Sequence, residues 1–89
     1  MGMDVQWYGD AWEEYCLWQQ TDKAALKRIN VLIKDIHIRR NPFNGIGKPE
    51  PLKHDLSGLW SRRINDADRL AYYLKDNVLV IVGCKGHYD

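Results

Sequence analysis

Cysteine is scarce and badly spaced for cross-linking. Cys16 and Cys84 stand far apart with no Cys-x-x-Cys pair, which supports neither a disulfide framework nor a zinc knuckle and leaves two reduced core thiols as the expectation. Long hydrophobic runs are missing too. Leu70 to Leu74 and Val78 to Val82 are the longest, far below the roughly 20 residues that cross a bilayer. No charged-then-apolar stretch at the N-terminus resembles a signal peptide, so a soluble cytoplasmic protein with no membrane role is expected. A Gly-rich phosphate loop, a His-Glu-x-x-His and a Gly-x-Ser-x-Gly are all lacking, and with them the parts for nucleotide hydrolysis, zinc proteolysis and α/β-hydrolase chemistry. Neither a metal nor an organic cofactor is expected. Low-complexity sequence is also missing, and 45% apolar against 28% charged residues is a composition that folds. Eighty-nine residues make one domain, taken as residues 3–89, with Met1-Gly2 ahead of Met3 read as a cloning scar.

What is present is unevenly distributed. Asp4 to Asp22 carries five acids and no base, whereas Lys34 to Arg63 carries seven bases against three acids. A single-faced polyanion binder has this asymmetry, and so does a chain with one solvated basic helix face.

Periodicity changes along the chain. Asp4 to Tyr8 reads as a short strand ended by Gly9. Asp10 with Glu13 has the spacing of a capping box ahead of a helix with the apolar stripe Trp12, Tyr15 and Cys16. Thr21 or Asp22 caps a second helix, in which Leu26, Ile29, Ile33 and Ile36 recur at helical spacing. Asn41-Pro42 stops it, and a loop of about ten residues follows. Leu52 to His54, Leu59 to Ile64, Arg69 to Lys75 and Val78 to Cys84 then read as strands, the last two joined by an Asp76-Asn77 hairpin turn. The all-apolar Val78 to Val82 is placed centrally. The expected fold is α+β: β-α-α-β-β-β-β, two helices packed on one mostly antiparallel sheet of four to five strands.

Polar residues at strand ends carry the chemical signal. Glu50 sits between Pro49 and Pro51, Arg69 begins a strand, and His87-Tyr88 follows the last one. Metal-free RNA cleavage needs a base for the 2′-hydroxyl proton, a cation for the negative charge of the developing phosphorane, and an acid for the 5′-oxygen leaving group. Glu, Arg and His supply those roles, though an isolated Glu is usually solvated, a terminal His usually inert, and Arg69 has Asp66 and Asp68 as ready partners.

A longer pattern contains the same residues. Tyr15-Cys16-Leu17-Trp18-Gln19-Gln20-Thr21-Asp22-Lys23, Asn41-Pro42-Phe43, Gly47 to His54, Leu56-Ser57-Gly58, Trp60 to Ile64, Arg69-Leu70 and His87-Tyr88 together resemble the YoeB-type toxins of the RelE superfamily. Those toxins are ribosome-dependent mRNA endoribonucleases of bacterial toxin–antitoxin pairs. The resemblance implies Glu50 as general base, Arg69 as the phosphate-stabilising cation, His87 as general acid and Tyr88 as the aromatic that places the nucleotide. It implies Lys48, Lys53, Arg62 and Arg63 as basic contacts to the scissile phosphate or ribosomal RNA, with Trp60 as a base-stacking candidate. Because side chains alternate along a strand, Arg62 and Arg63 cannot both face one cleft; Arg63 is favoured. His37 and His54 are read as structural or surface residues, and Trp7, Trp12 and Trp18 as packing residues. The implied partners are a YefM-like antitoxin, the 70S ribosome at its A site, mRNA and a second copy of the toxin. Departures from the familiar pattern include a longer second helix and Asp89 after Tyr88, whose carboxylate would sit near His87. The competing readings are a non-nuclease toxin of the gyrase-binding ParE branch and a plain adaptor domain.

Overall fold

The computed structural model describes residues 2–88; Met1 and Asp89, and with Asp89 its expected approach to His87, lie outside the described residues. Strand β1 (Asp4–Trp7) leads into helices α1 (Ala11–Thr21) and α2 (Lys23–Arg39), followed by β2 (Glu50–Pro51), β3 (Trp60–Arg63), β4 (Arg69–Lys75) and β5 (Val78–Gly83). The strands form one sheet in the order β1-β5-β4-β3-β2. β1 runs parallel to β5 and every other pair is antiparallel. The α+β architecture and its element order match the expectation.

Local chemistry explains the helix ends, with one correction. Asp22 is extended, at φ −157° and ψ 96°, and its carboxylate accepts from the Ala25 N–H at 3.1 Å, as an N-cap should. Asp10 does not cap α1 through its side chain. Its backbone, φ −84° and ψ 2°, has already left the extended region from which a capping side chain reaches back. Arg40 closes α2 in the left-handed region, φ 58°, with its N–H on the Ile36 carbonyl at 2.8 Å.

The faces of the helices follow from burial. α2 turns Ala25, Ile29, Leu32 and Ile36 inward, with Leu26 and Ile33 beside them. α1 buries Ala11 and Trp18 rather than the expected stripe, leaving Trp12 half-exposed. These side chains meet Leu70, Tyr72, Leu79 and Ile81 in the core, so the helices cover the sheet face that carries Leu70 and Tyr72. Cys84 is buried and Cys16 half-buried, both as free thiols.

Two strand assignments shift. The strand expected at Leu52 to His54 lies upstream at Glu50–Pro51, because His54 adopts φ +57° and starts a 3-10 turn, His54–Leu56. β5 is internal, as its apolar run predicts, but the middle strand is β4. One strand, β1, adds outside β5, whereas two, β3 and β2, add beyond β4. Asp76 and Asn77, at φ +52° and +63°, make the hairpin turn between β4 and β5.

Candidate active site

Register decides which polar residues share a face. Glu50 pairs with Ser61, and Arg63 pairs with Arg69; Ser61 and Arg63 are two apart on β3, so all four lie on one face, opposite Leu70 and Tyr72. Glu50 and Arg69 stand two strands and two residues apart, roughly 12 Å between Cα atoms from the usual strand and residue spacings. A carboxylate and a guanidinium extended from those positions would flank a phosphate.

The C-terminal tail crosses the same region. The Arg69 N–H donates to the Gly86 carbonyl at 2.9 Å, and the Gly86 N–H donates to the Asp68 carboxylate at 2.7 Å. These two bonds hold Gly86 beside Arg69, and His87 follows with its Nε2 3.3 Å from the Asp66 carbonyl oxygen. The Arg69 guanidinium turns to three carbonyls, those of Asn65 at 2.7 Å, Asp68 at 3.1 Å and Asp66 at 3.3 Å. The carboxylates of Asp66 and Asp68 do not receive it, and among the described residues no acid pairs with it.

Tyr88 is the last described residue of the tail. Its hydroxyl rests on Gly83, where any Cβ would collide with it, so glycine is required at this closing contact. The ring joins Glu50, Pro51, Leu52 and Lys53 in lining a cleft of about 240 Å³. Burial pushes the Tyr88 hydroxyl up to about 12, with the Glu14 charge adding to the effect. At neutral pH it is therefore a protonated donor. Burial, again ahead of Glu14, raises the Cys84 thiol to about 12, so it packs as an inert thiol. A groove of about 330 Å³ lies at the other edge of the sheet, between Val5, Trp7 and Tyr15 on one side and Asn30, Ile33, Lys34 and His37 on the other. None of the expected site residues enters it.

The remaining candidates separate. Lys48, Lys53 and Arg63 are exposed, and Lys53 lines the Tyr88 cleft. Arg62 points the other way and is fully buried. Its guanidinium is taken up by Tyr72, Asp35 and two loop carbonyls, so the phosphate contact expected of it is replaced by an internal one. Trp60 is paired across β3 and β4 with Tyr72, on the helix-covered face, and its ring lies 6.1 Å from that of Phe43 and against the core, away from the cleft. Two residues that sequence reasoning missed are Asp68 and Glu14, which tether the tail at Gly86 and at the Cys84 N–H, the latter at 2.8 Å. Their partners lie 18 and 70 residues away, beyond any local spacing signal.

The chain is similar to known proteins over nearly its whole length. Residues 7–88 match the model of the YoeB-like toxins of bacterial type II toxin–antitoxin systems. Toxin YoeB of Escherichia coli K12 is 54% identical over 97% of this chain and 100% of its own length. Two solved structures from Staphylococcus aureus superpose over 97% of this chain and 98% of theirs: a YoeB–YefM complex at 44% identity and TM-score 0.87, and a YoeB dimer at 45% and 0.88. The chain belongs to the YoeB-like toxins of bacterial type II toxin–antitoxin systems.

Proposed function

We propose that this toxin is an mRNA endoribonuclease that acts in the ribosomal A site and so blocks translation. The observation that carries the reading is the convergence on one sheet face of Glu50, Arg69 and the His87-Tyr88 tail, through the β2–β3–β4 register and the Gly86 tether. Glu50 takes the proton from a ribose 2′-hydroxyl, and the freed 2′-oxygen forms a bond to the adjacent phosphorus. Arg69 stabilises the negative charge that builds on the phosphoryl oxygens. The bond from phosphorus to the 5′-oxygen breaks, and His87 gives that oxygen its proton. The products are a 2′,3′-cyclic phosphate and a 5′-hydroxyl, with the enzyme's proton moved from His87 to Glu50. Each proton transfer is worth about 10²–10⁴ in rate. Tyr88, held protonated, donates a hydrogen bond or stacks within the cleft. Lys48, Lys53 and Arg63 add positive charge for phosphate or ribosomal RNA, an attraction that salt weakens.

The partners proposed are the ribosome, mRNA, a YefM-like antitoxin and a second copy. A YefM partner and a dimer are each found with the S. aureus relatives. The reaction is proposed to need no metal, so EDTA should leave the chemical step unchanged on intact ribosomes. The experiment is cleavage of a short message on purified 70S ribosomes by this chain and its His87→Gln variant, with a ribosome-free control. Cleavage that requires both ribosomes and His87 is expected. A folded chain that arrests growth without cutting message would favour gyrase poisoning and sink the nuclease reading.

A further inference from the structure

The most heavily buried cation lies outside the proposed chemistry. Arg62 has no exposed surface, and a buried guanidinium is costly unless its charge and donors are matched. Its Nε donates to the Tyr72 hydroxyl at 2.8 Å, Nη1 to Asp35 at 2.7 Å and the Ile46 carbonyl at 3.2 Å, and Nη2 to the Asn44 carbonyl at 2.7 Å. The Tyr72 hydroxyl in turn donates to the Pro42 carbonyl at 2.7 Å. The Asp35 carboxylate also accepts from the Ile46 N–H at 3.2 Å. An apolar residue in this place would fill space at lower desolvation cost but could satisfy none of those carbonyls.

All the loop groups in this set belong to the segment between α2 and β2. That segment has little apolar anchorage of its own, since Phe43 and Ile46 are exposed. Its backbone presses close to the network. A Cβ on Gly45, at φ +132°, would strike Asp35 and Arg62, and one on Gly47, at φ +84°, would come within 2.8 Å of Leu32. The Gly47 carbonyl takes the Arg63 N–H at 2.7 Å. Three residues later the chain reaches Glu50, which stands between Pro49 and Pro51 in a strand of only two residues, Glu50–Pro51. A two-residue edge pairing cannot locate a side chain by itself. The upstream anchors of Glu50 are thus the Gly47–Arg63 backbone bond and, before it, the Arg62 cluster, and the downstream one is Leu52, buried and bonded through its N–H to the Leu59 carbonyl at 2.9 Å. β3 carries Arg62 on one face while its neighbours Ser61 and Arg63 pair with Glu50 and Arg69 on the other.

We propose that Arg62, with Asp35 and Tyr72, is a positioning unit that fixes the Glu50 carboxylate relative to Arg69 by clamping the carbonyls of Pro42, Asn44 and Ile46. This rests on the nuclease reading of Glu50, and the test separates the two. Tyr72→Phe keeps the core ring and removes only the hydroxyl that links Arg62 to Pro42; Asp35→Asn is the second variant. Single-turnover cleavage is measured at saturating programmed ribosomes, in the wild-type and the Glu50→Gln backgrounds, with amide exchange of residues 43–50 followed in parallel. With Glu50 present, Tyr72→Phe should slow cleavage about 10–100-fold, the scale of a misplacement near 1 Å, while the half-saturating ribosome concentration stays within about twofold. In the Glu50→Gln background it should cost little more, since the group being positioned is gone. Exchange should quicken in 43–50 and not in Leu79–Ile81. An equal slowing in both backgrounds would mean general loosening and overturn the proposal, as would full-rate cleavage or unchanged exchange in both variants. A wild-type chain that cleaves nothing sinks the nuclease reading, and the exchange result still decides for or against Arg62 as the clamp on the Glu50 segment.

Discussion

The two edges of the sheet are built by different forces. At the β1 edge, Trp7, Trp12 and Tyr15 form a ring cluster with centroids 4.7 to 5.6 Å apart, and Trp12 remains 51% exposed. Dispersion and area burial hold that edge, and they tolerate small displacements. At the β2 edge a strand of two residues and its loop are held by directional bonds from Arg62, Asp35, Tyr72 and the Arg63 N–H. Such bonds weaken within a fraction of an ångström and a few tens of degrees. The edge that carries the proposed base is the one whose anchors specify position.

The contrast breaks most severely at Arg62. Arg62→Leu keeps bulk but leaves the Asn44 and Ile46 carbonyls unsatisfied and removes one of the two cations on Asp35. Arg39, 3.0 Å from that carboxylate, remains, so the loss should fall near the low end for broken buried pairs, about 3 kcal/mol in urea unfolding. A midpoint unchanged from wild type would mean that the polar edge holds nothing. Next comes Gly45→Ala, which places a Cβ at φ +132° against Asp35 and Arg62. A cost of about 1–3 kcal/mol is expected, with faster exchange confined to the loop; exchange that rises equally in β1 would erase the distinction between the edges.

Those two positions also mark how far the sequence could be read. Element order, the Asp76-Asn77 turn and the Asp22 cap were legible because each depends on residues within a few positions of one another. Arg62 and Arg63 were not separable by composition, since their opposite fates follow from β3 pairing with β4 in one register and not its neighbour. Register also explains why Glu50–Pro51, and not Leu52 to His54, is the strand. The left-handed backbone of His54 ends the pairing, and no local signal announces it. Glu50, Arg69 and His87 stood out by their chemistry at strand ends, and the roles proposed for them come from the resemblance. The carboxylates of Asp68 and Glu14, which hold the tail that delivers His87, find their tail partners 18 and 70 residues away. Long-range polar tethers form this site, and tethers of that kind leave no periodic trace.

The apolar edge should respond less. Trp12→Ala removes two ring contacts, with Trp7 and with Tyr15, from a side chain that water already half covers. A loss of about 1 kcal/mol is expected, read as a lower urea midpoint at unchanged slope, with single-turnover cleavage unaltered. Slowed chemistry in this variant would mean that the two edges are mechanically coupled.

The smallest effect separates the edges by pH. Burial alone would raise the Asp35 carboxyl, but hydrogen bonds from Arg39 and Arg62, the Ile46 N–H and the Arg39 charge outweigh it and hold the group below its ordinary value. A carboxyl whose folded value is depressed contributes stability that is fully present above its unfolded value, near 3.9, and is lost as pH falls through the folded one. The β2 edge should therefore be insensitive from neutrality down to about pH 5 and loosen below about pH 4, as the Asp35 charge that holds Arg62 and the Ile46 N–H is neutralised. The β1 ring cluster contains no such group. Amide exchange, corrected for its intrinsic pH dependence, should show Asn44 to Gly47 losing protection at higher pH than Val5 to Trp7, and Asp35→Asn should abolish the difference. Simultaneous loss at both edges in the unmodified chain would mean that global acid unfolding, and not the Asp35 contact, sets the acid limit of the site.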